Sequence, residues 1–192
     1  VPTITKFINE LTELGLIMEY GKVQTSGGRY PILYGLKPDS LYFIGADMTR
    51  HHLNIALMNF KGEVMDYQMG IKYEFENTLE SFDILHKHLQ NYIDNISIPK
   101  DRLFNINLNI SGRVNPESGY SYSNFYFSEQ PITEILSEKL NLNVGIDNDT
   151  RAMALGEYMA GVVQGEKNVI FVNVSWGLGI GIIIDGKPDR KS

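Results

Sequence analysis

The chain has no cysteine, which excludes a disulfide framework and any thiolate metal site within these residues. No apolar run approaches the roughly 20 residues needed to span a bilayer, and no signal-peptide pattern opens the sequence. An excess of positive charge is also missing. The formal net charge of −6 argues against nucleic-acid binding over the whole surface, while leaving room for a small basic or neutral module on an acidic body. What is present is ordinary for a globular protein: 43% hydrophobic and 21% charged residues. A length of 192 residues holds one domain plus a small appendage, and the plain expectation is a cytoplasmic protein without membrane contact.

The sequence starts at Val1 without Met and stops at "DGKPDRKS" with no closing element, so both ends are expected to be cut. Residues 1–37 carry Lys6, Lys22, Arg29 and Lys37 against Glu10, Glu13 and Glu19, so the acidity lies in the remainder. In "TITKFINELTEL" the residues Ile4, Phe7, Ile8, Leu11 and Leu14 recur at helical spacing. Pro2 suits a first helical turn and Gly15 a stop. Leu16 to Tyr20 and Ile32 to Leu36 read as strands around the turn in "QTSGGRYP". A short helix followed by a two-stranded ribbon with a basic tip is the rear half of a winged helix-turn-helix, with "KPDS" (37–40) as linker.

From residue 41 the spacing predicts three strands, 41–46, 52–59 and 63–73, with turns at Asp47 to Arg50 and at Phe60-Lys61-Gly62, an antiparallel meander. Phe82, Leu85, Leu89, Tyr92, Ile93 and Ile96 predict a helix over 78–96. "RLFNINLNI" alternates as a strand does, and the polar and aromatic stretch 111–127 reads as a loop. A helix near 131–140, a strand 143–146, a helix 149–163 and two strands around "SWGLGIG" complete the order βββαβαβαββ.

Four stretches carry candidate chemistry. Gly177, Gly179 and Gly181 can cradle phosphate with backbone N–H groups, or supply positive φ in a tight hairpin. Asp47 and Thr49, in "GADMTR", can hold a cation or orient a phosphate, or stabilise their own turn. In "IDNDTRAMALGE" either Asn148 or Asp149 can cap the helix that follows. Two further polar side chains at a strand's carboxyl end suggest a ligand-facing rim, where a carboxylate can take a proton from a sugar hydroxyl or accept its hydrogen bond. Ser111, Gly112, Asn115 and Asn124, set among Tyr and Phe, suit a sugar-binding wall or an ordered surface loop. His51 and His52 are adjacent on a strand and point to opposite faces, so they do not read as a metal pair.

Placed in this order, the motifs resemble the ROK family (repressors, open reading frames, kinases) over nearly the whole chain. "IDNDTRAMALGEYMAG" is similar to the family signature "ENDANAAALGE". "VNVSWGLGIGIIIDGK" looks like its second phosphate segment, and "ISGRVNPESGYSYSN" like the loop beside its sugar. Residues 2–36 look like the winged helix of its repressor branch, whose members answer to N-acetylglucosamine or xylose. The resemblance implies an α/β actin-like fold of the sugar-kinase and Hsp70 type, split as 1–37 and 38–192. It implies a sugar site at Ser111, Gly112, Asn124, Asn148, Asp149 and Glu157, with Asp149 the base if the protein is a kinase.

Departures from the family pattern imply a decayed ATP site. Asp47-Met48-Thr49-Arg50 stands where kinases have Asp-x-Gly-Gly-Thr, so Met48 and Arg50 side chains are expected to fill phosphate space. Gly177-Leu178-Gly179 replaces Gly-Thr-Gly, and Arg151 takes the register of an Asn. The reading implied is a sugar-responsive regulator, most simply a repressor and not an enzyme, with an ATP-dependent sugar kinase as the alternative. Its partners would be operator DNA, a sugar or phosphosugar effector, and further copies in a homodimer or homotetramer. Thr3, Thr5, Lys6 and Asn9 would face the major groove, with Arg29 at the wing tip. No metal and no cofactor is expected within this segment, since the family's zinc cluster would follow Ser192.

Overall fold

Periodicity in the first residues becomes helix α1 (Pro2–Glu13). It is closed by Gly15 at φ +69, where Gly15 N–H donates to Thr12 O and Leu16 N–H to Leu11 O, a left-handed helix stop that favours glycine. Strands β1 (Ile17–Lys22) and β2 (Ile32–Leu36) pair antiparallel, with a register shift between Glu19 and Gly21. The computed structural model describes residues 2–24, 30–175 and 177–190. The Gly27-Gly28 turn and Arg29 therefore lie outside the described residues, and the ribbon's tip is not characterised. The apolar stripe of α1 is left largely bare among them: Ile4 is 65% and Phe7 56% exposed.

The "KPDS" segment is a pinned turn rather than a free tether. Ser40 N–H and Oγ both donate to Lys37 O, Phe60 N–H donates to Pro38 O at 2.9 Å, and Arg102 Nη1 donates to Asp39 O at 2.8 Å. Lys61 Nζ sits 4.8 Å over the Tyr20 ring, joining the β1–β2 ribbon to the rest of the chain by a cation–π contact.

After the turn come β3 (Tyr42–Met48), β4 (His52–Asn59) and β5 (Val64–Lys72), the expected meander. Strand β3 runs past its expected end, because Asp47 pairs with Asn54 and Met48 with Leu53. The turn is thus shorter than expected, and Asp47 is a strand residue. Helix α2 (Leu79–Asn95) starts at Thr78, whose side chain accepts from Ser81 N–H, the usual way an orphan donor is satisfied at an N-terminus. A 3₁₀ turn, Lys100–Arg102, leads into β6 (Leu103–Ile110). The small hairpin β7 (Val114–Asn115) and β8 (Tyr120–Ser121) follows, then α3 (Ile132–Leu140) and β9 (Asn143–Asn148).

The sheet order is β5-β4-β3-β6-β9, with β3, β6 and β9 parallel. One face is buried: Ile44, Ala46, Leu53, Ile55, Ile106 and Leu108 join Phe82, Leu85 and Leu89 of α2 and Leu136 of α3 in a single core. Strict alternation sends Asn105, Asn107 and Asn109 to the opposite, half-exposed face, which is why β6 reads "NINLNI". Helix α4 (Asp149–Ala160) leaves β9 directly. It packs on β10 (Val169–Val174) and β11 (Leu178–Ile184), an antiparallel pair that β12 (Lys187–Pro188) extends.

Candidate functional site

Three strand ends, one helix N-terminus and the β10–β11 turn enclose a cavity of about 1010 Å³. Parallel strands β3, β6 and β9 finish at the same level, so the residues after them converge. This is the usual ligand position of an open α/β sheet. Of the expected sugar residues, Ser111, Gly112, Asn148 and Asp149 line the cavity, as do Asp47, Thr49, Gly177 and Gly179 of the expected phosphate loops.

The junction of β9 and α4 assigns separate roles to its polar residues. Asn148 is the helix cap: its Oδ1 accepts from Arg151 N–H at 3.1 Å. Its Nδ2 donates to Gly112 O at 3.1 Å, tying the ends of β6 and β9 together. With capping done by Asn148, Asp149 occupies the first helical position, where the helix dipole favours a carboxylate. Its Oδ1 accepts from Thr150 N–H at 2.7 Å. Arg151 turns back onto Asp147, with Nε at 2.8 Å and Nη2 at 2.7 Å from Oδ1, and is only 11% exposed. Its charge is largely answered within the chain.

The end of β6 is shaped by Gly112. At φ +90 a Cβ there would fall 2.6 Å from Ser123 Cβ, so backbone angle and space both require glycine. Asn124 Nδ2 donates to Ser111 O at 2.7 Å and Ser123 Oγ accepts from Arg113 N–H. Asn124 therefore braces the cavity loop from behind and does not line it. Glu157 is not brought to the cavity either. It lies in the last turn of α4 and is exposed, and its Oε2 accepts from Val162 N–H at 3.4 Å.

On the β3 side, Asp47 Oδ2 accepts from Asn54 Nδ2 at 3.2 Å. Burial pushes the Asp47 carboxyl above its usual range; the Asn54 amide opposes this and the charge of Asp149 reinforces it. The two carboxylates therefore feel each other across the cavity. Thr49 Oγ1 donates to His52 O and accepts from His52 N–H, so its hydroxyl closes the β3–β4 turn. Met48 and Arg50 both border the cavity, and Met48 is at the same time a buried member of the core.

The glycines of "SWGLGIG" are also reassigned. Val174 pairs with Leu178, so Gly179 and Gly181 lie inside β11, and neither they nor Gly177 has positive φ. A Cβ on Gly179 would meet Thr150 Oγ1 at 2.2 Å, and one on Gly181 would meet Ala154 Cβ at 2.5 Å. Both let β11 press against α4, while Gly177 has nothing within 4 Å and faces the opening. Trp176, beside it, lies outside the described residues.

Sequence reading missed Phe75, Arg113, Met153, Asn173, Ser175 and Ile180 on the cavity wall. Asn173 in β10 and Ser175 just past its end are two residues apart and so fall on one side of an extended chain, a signal that was available; Phe75 reaches the cavity only through packing. Among the described residues no three His, Cys, Asp or Glu groups are placed to hold a metal ion.

The sequence profile of the ROK family matches residues 43–190. The chain belongs to the ROK family. Among curated ROK proteins it is 34% identical to a xylose repressor of Caldicellulosiruptor bescii, over 98% of this chain and 48% of that protein. It is 27% identical to the DNA-binding transcriptional dual regulator NagC of Escherichia coli, over 96% and 46%. The chain thus spans about half the length of the curated relatives it matches. A crystallised ROK family transcriptional regulator, a homolog of the E. coli MLC protein, superposes with a TM-score of 0.78 at 25% identity over 98% of this chain and 48% of its own. A ROK glucokinase from Streptomyces griseus, solved with glucose and AMPPNP, shares the actin-like ATPase fold, with a TM-score of 0.63 at 22% identity over 78% and 46%. The regulator match takes in the α1–β1–β2 unit. The kinase match falls short by about the size of that unit.

Proposed function

We propose that this chain is part of a sugar-responsive transcriptional regulator, a repressor acting in the cytoplasm as an oligomer. The observation that supports the reading is the union, in one chain, of the helix-and-ribbon unit with a cavity lined by Ser111, Gly112, Asn148 and Asp149 on one side and by Asp47 and Arg50 on another. At the sugar end Asp149 is spared from capping and offers a carboxylate to hydroxyl groups. Ser111, Gly112 and Asn148 complete a rim of hydrogen-bonding groups on fixed backbone, the arrangement that orients a polar ligand in a mostly preformed site. At the phosphate end Arg50 stands where a nucleotide loop needs glycine.

The DNA-reading unit presents Thr3, Thr5, Lys6 and Asn9 on the exposed side of α1. Lys6 is 3.7 Å from Glu10, an exposed pair of small energetic weight that a phosphate would displace. The bare apolar stripe of α1 would suit packing against the other helix that a complete winged helix contains. Effector binding in the cavity would change the angle between the five-stranded sheet and the β10–β11 pair, and with it the spacing of DNA-reading units in the oligomer. The size of that response is bounded by the difference in effector affinity between the two arrangements.

The second reading, an ATP-dependent sugar kinase, is favoured by the survival of both Asp47 and Asp149 at one cavity, since a kinase needs a base at the sugar and a carboxylate at the phosphates. Calorimetric titration of the full-length protein with neutral sugars, sugar phosphates and Mg-ATP separates the two. A regulator binds a sugar or sugar phosphate, does not bind ATP, and loses about 10- to 100-fold in sugar affinity on Asp149→Asn, the cost of removing a charged hydrogen-bond acceptor. Sugar-dependent ATP turnover abolished by the same substitution would establish the kinase instead.

A further inference from the structure

One exposed cluster outside the cavity has no role in the core. Tyr120, Tyr122, Tyr126 and Glu129 line an open depression of about 320 Å³. Ser121 is buried, and its neighbours on either side, Tyr120 in β8 and Tyr122 just past it, turn outward together. Their rings lie 6.1 Å apart and 18° from parallel, and Tyr126 follows 6.3 Å beyond Tyr122. Tyr120 is held in place by its hydroxyl, which donates to Glu129 O. Tyr126 is 61% exposed. An ordered aromatic cluster open to water marks a recognition surface more often than a packing accident.

Arg113 links the cluster to the cavity. Arg113 belongs to the cavity wall, Tyr122 N–H donates to its carbonyl at 2.8 Å, and its guanidinium lies 5.0 Å over the Tyr122 ring. One residue is therefore wall to the cavity on one side and support to the tyrosines on the other. A molecule that fills the cavity and extends past Arg113 meets flat aromatic faces with phenol rims and a carboxylate. These groups suit the apolar ring face and the hydroxyl edge of a second sugar unit, and tyrosine supplies such amphipathic contact at low conformational cost.

We propose that the effector is a saccharide of at least two units, with one sugar at Asp149 and the next lying on the Tyr122–Tyr126 surface. This inference rests on the sugar-binding reading of the cavity. The test is titration of the full-length protein with xylose, xylobiose and xylotriose, and with N-acetylglucosamine and its β-linked dimer, for wild type, Tyr126→Ala and Tyr126→Phe. In at least one series the dimer is expected to bind ten or more times tighter than the monomer. Tyr126→Ala should abolish that advantage while monomer affinity stays within twofold, and Tyr126→Phe should retain it. Equal affinity for monomer and dimer overturns the inference and leaves the sugar site standing. No binding in these series, nor of any neutral sugar or sugar phosphate in the calorimetric panel above, overturns both. Weakened self-association in Tyr126→Ala with saccharide affinities unchanged would make the surface a protein contact, and overturns the inference as well.

Discussion

Asp47 shows how a single half-buried carboxylate at the cavity carries a cost in stability. Its carboxyl is held above the usual range by burial and by Asp149, so the folded chain keeps the proton at pH values where the unfolded chain has lost it. The folded state binds more protons across that window, and stability falls as pH rises from the ordinary carboxylate value through the raised one. Asp47→Asn removes the penalty. Its melting temperature should exceed that of wild type at pH 7, and the difference should vanish as pH drops below the ordinary carboxylate range; thermal melts across pH measure this. A gain that persists at low pH would point to better packing of the introduced amide, not to a lost charge. The same residue marks a limit of sequence reading. "GADMTR" placed Asp47 in a turn, because nothing local reveals that β4 pairs as far as Leu53 with Met48.

At the scale of elements, the close approach of β11 to α4 is the most demanding contact at the site. Gly181→Ala would put a methyl 2.5 Å from Ala154 Cβ and 2.9 Å from Thr150 O, and backbone cannot retreat as a flexible side chain can. The expected loss is about 1–3 kcal/mol, read by urea unfolding, together with weaker effector binding because α4 carries Asp149. The elements themselves were legible where one face is buried. Phe82, Leu85, Leu89 and Tyr92 foretold α2, and "NINLNI" foretold β6. The roles of Gly179, Gly181, Asn124 and Glu157 were not legible, since each is set by a neighbour distant in sequence or by the side a helix turn happens to face. Positive φ is a local property that sequence can suggest; close approach is a tertiary one.

At the scale of the whole chain, the junction joins the α1–β1–β2 unit to the sheet. Arg102 holds Asp39 O at 2.8 Å immediately before β6, and Tyr20 lies between Lys61 Nζ at 4.8 Å and Gly35, where an added Cβ would fall 2.9 Å from its ring. Arg102 is exposed enough for Arg102→Ala to leave the fold intact. In the full-length protein the substitution should leave effector affinity within about twofold, removing a contact worth about 1 kcal/mol at the far end from the cavity. The effector-induced change in operator affinity should shrink. Parallel titrations of effector and operator, the latter with and without effector, check both halves, and an undiminished response would show that the junction transmits nothing.

Strands β3 and β6 give that junction a mechanical meaning. Each begins beside the pinned 37–40 turn and ends at the cavity, and at about 3.3 Å per residue seven strand residues make an arm of roughly 20 Å. A tilt of about 10° at one end of such an arm displaces the other by roughly 3–4 Å, more than the tolerance of a hydrogen bond to a base edge. Pivoting at its cavity end, the sheet would act as such an arm, and under the proposed regulator reading a small shift of the cavity rim by a sugar would be carried by length alone to the α1–β1–β2 unit.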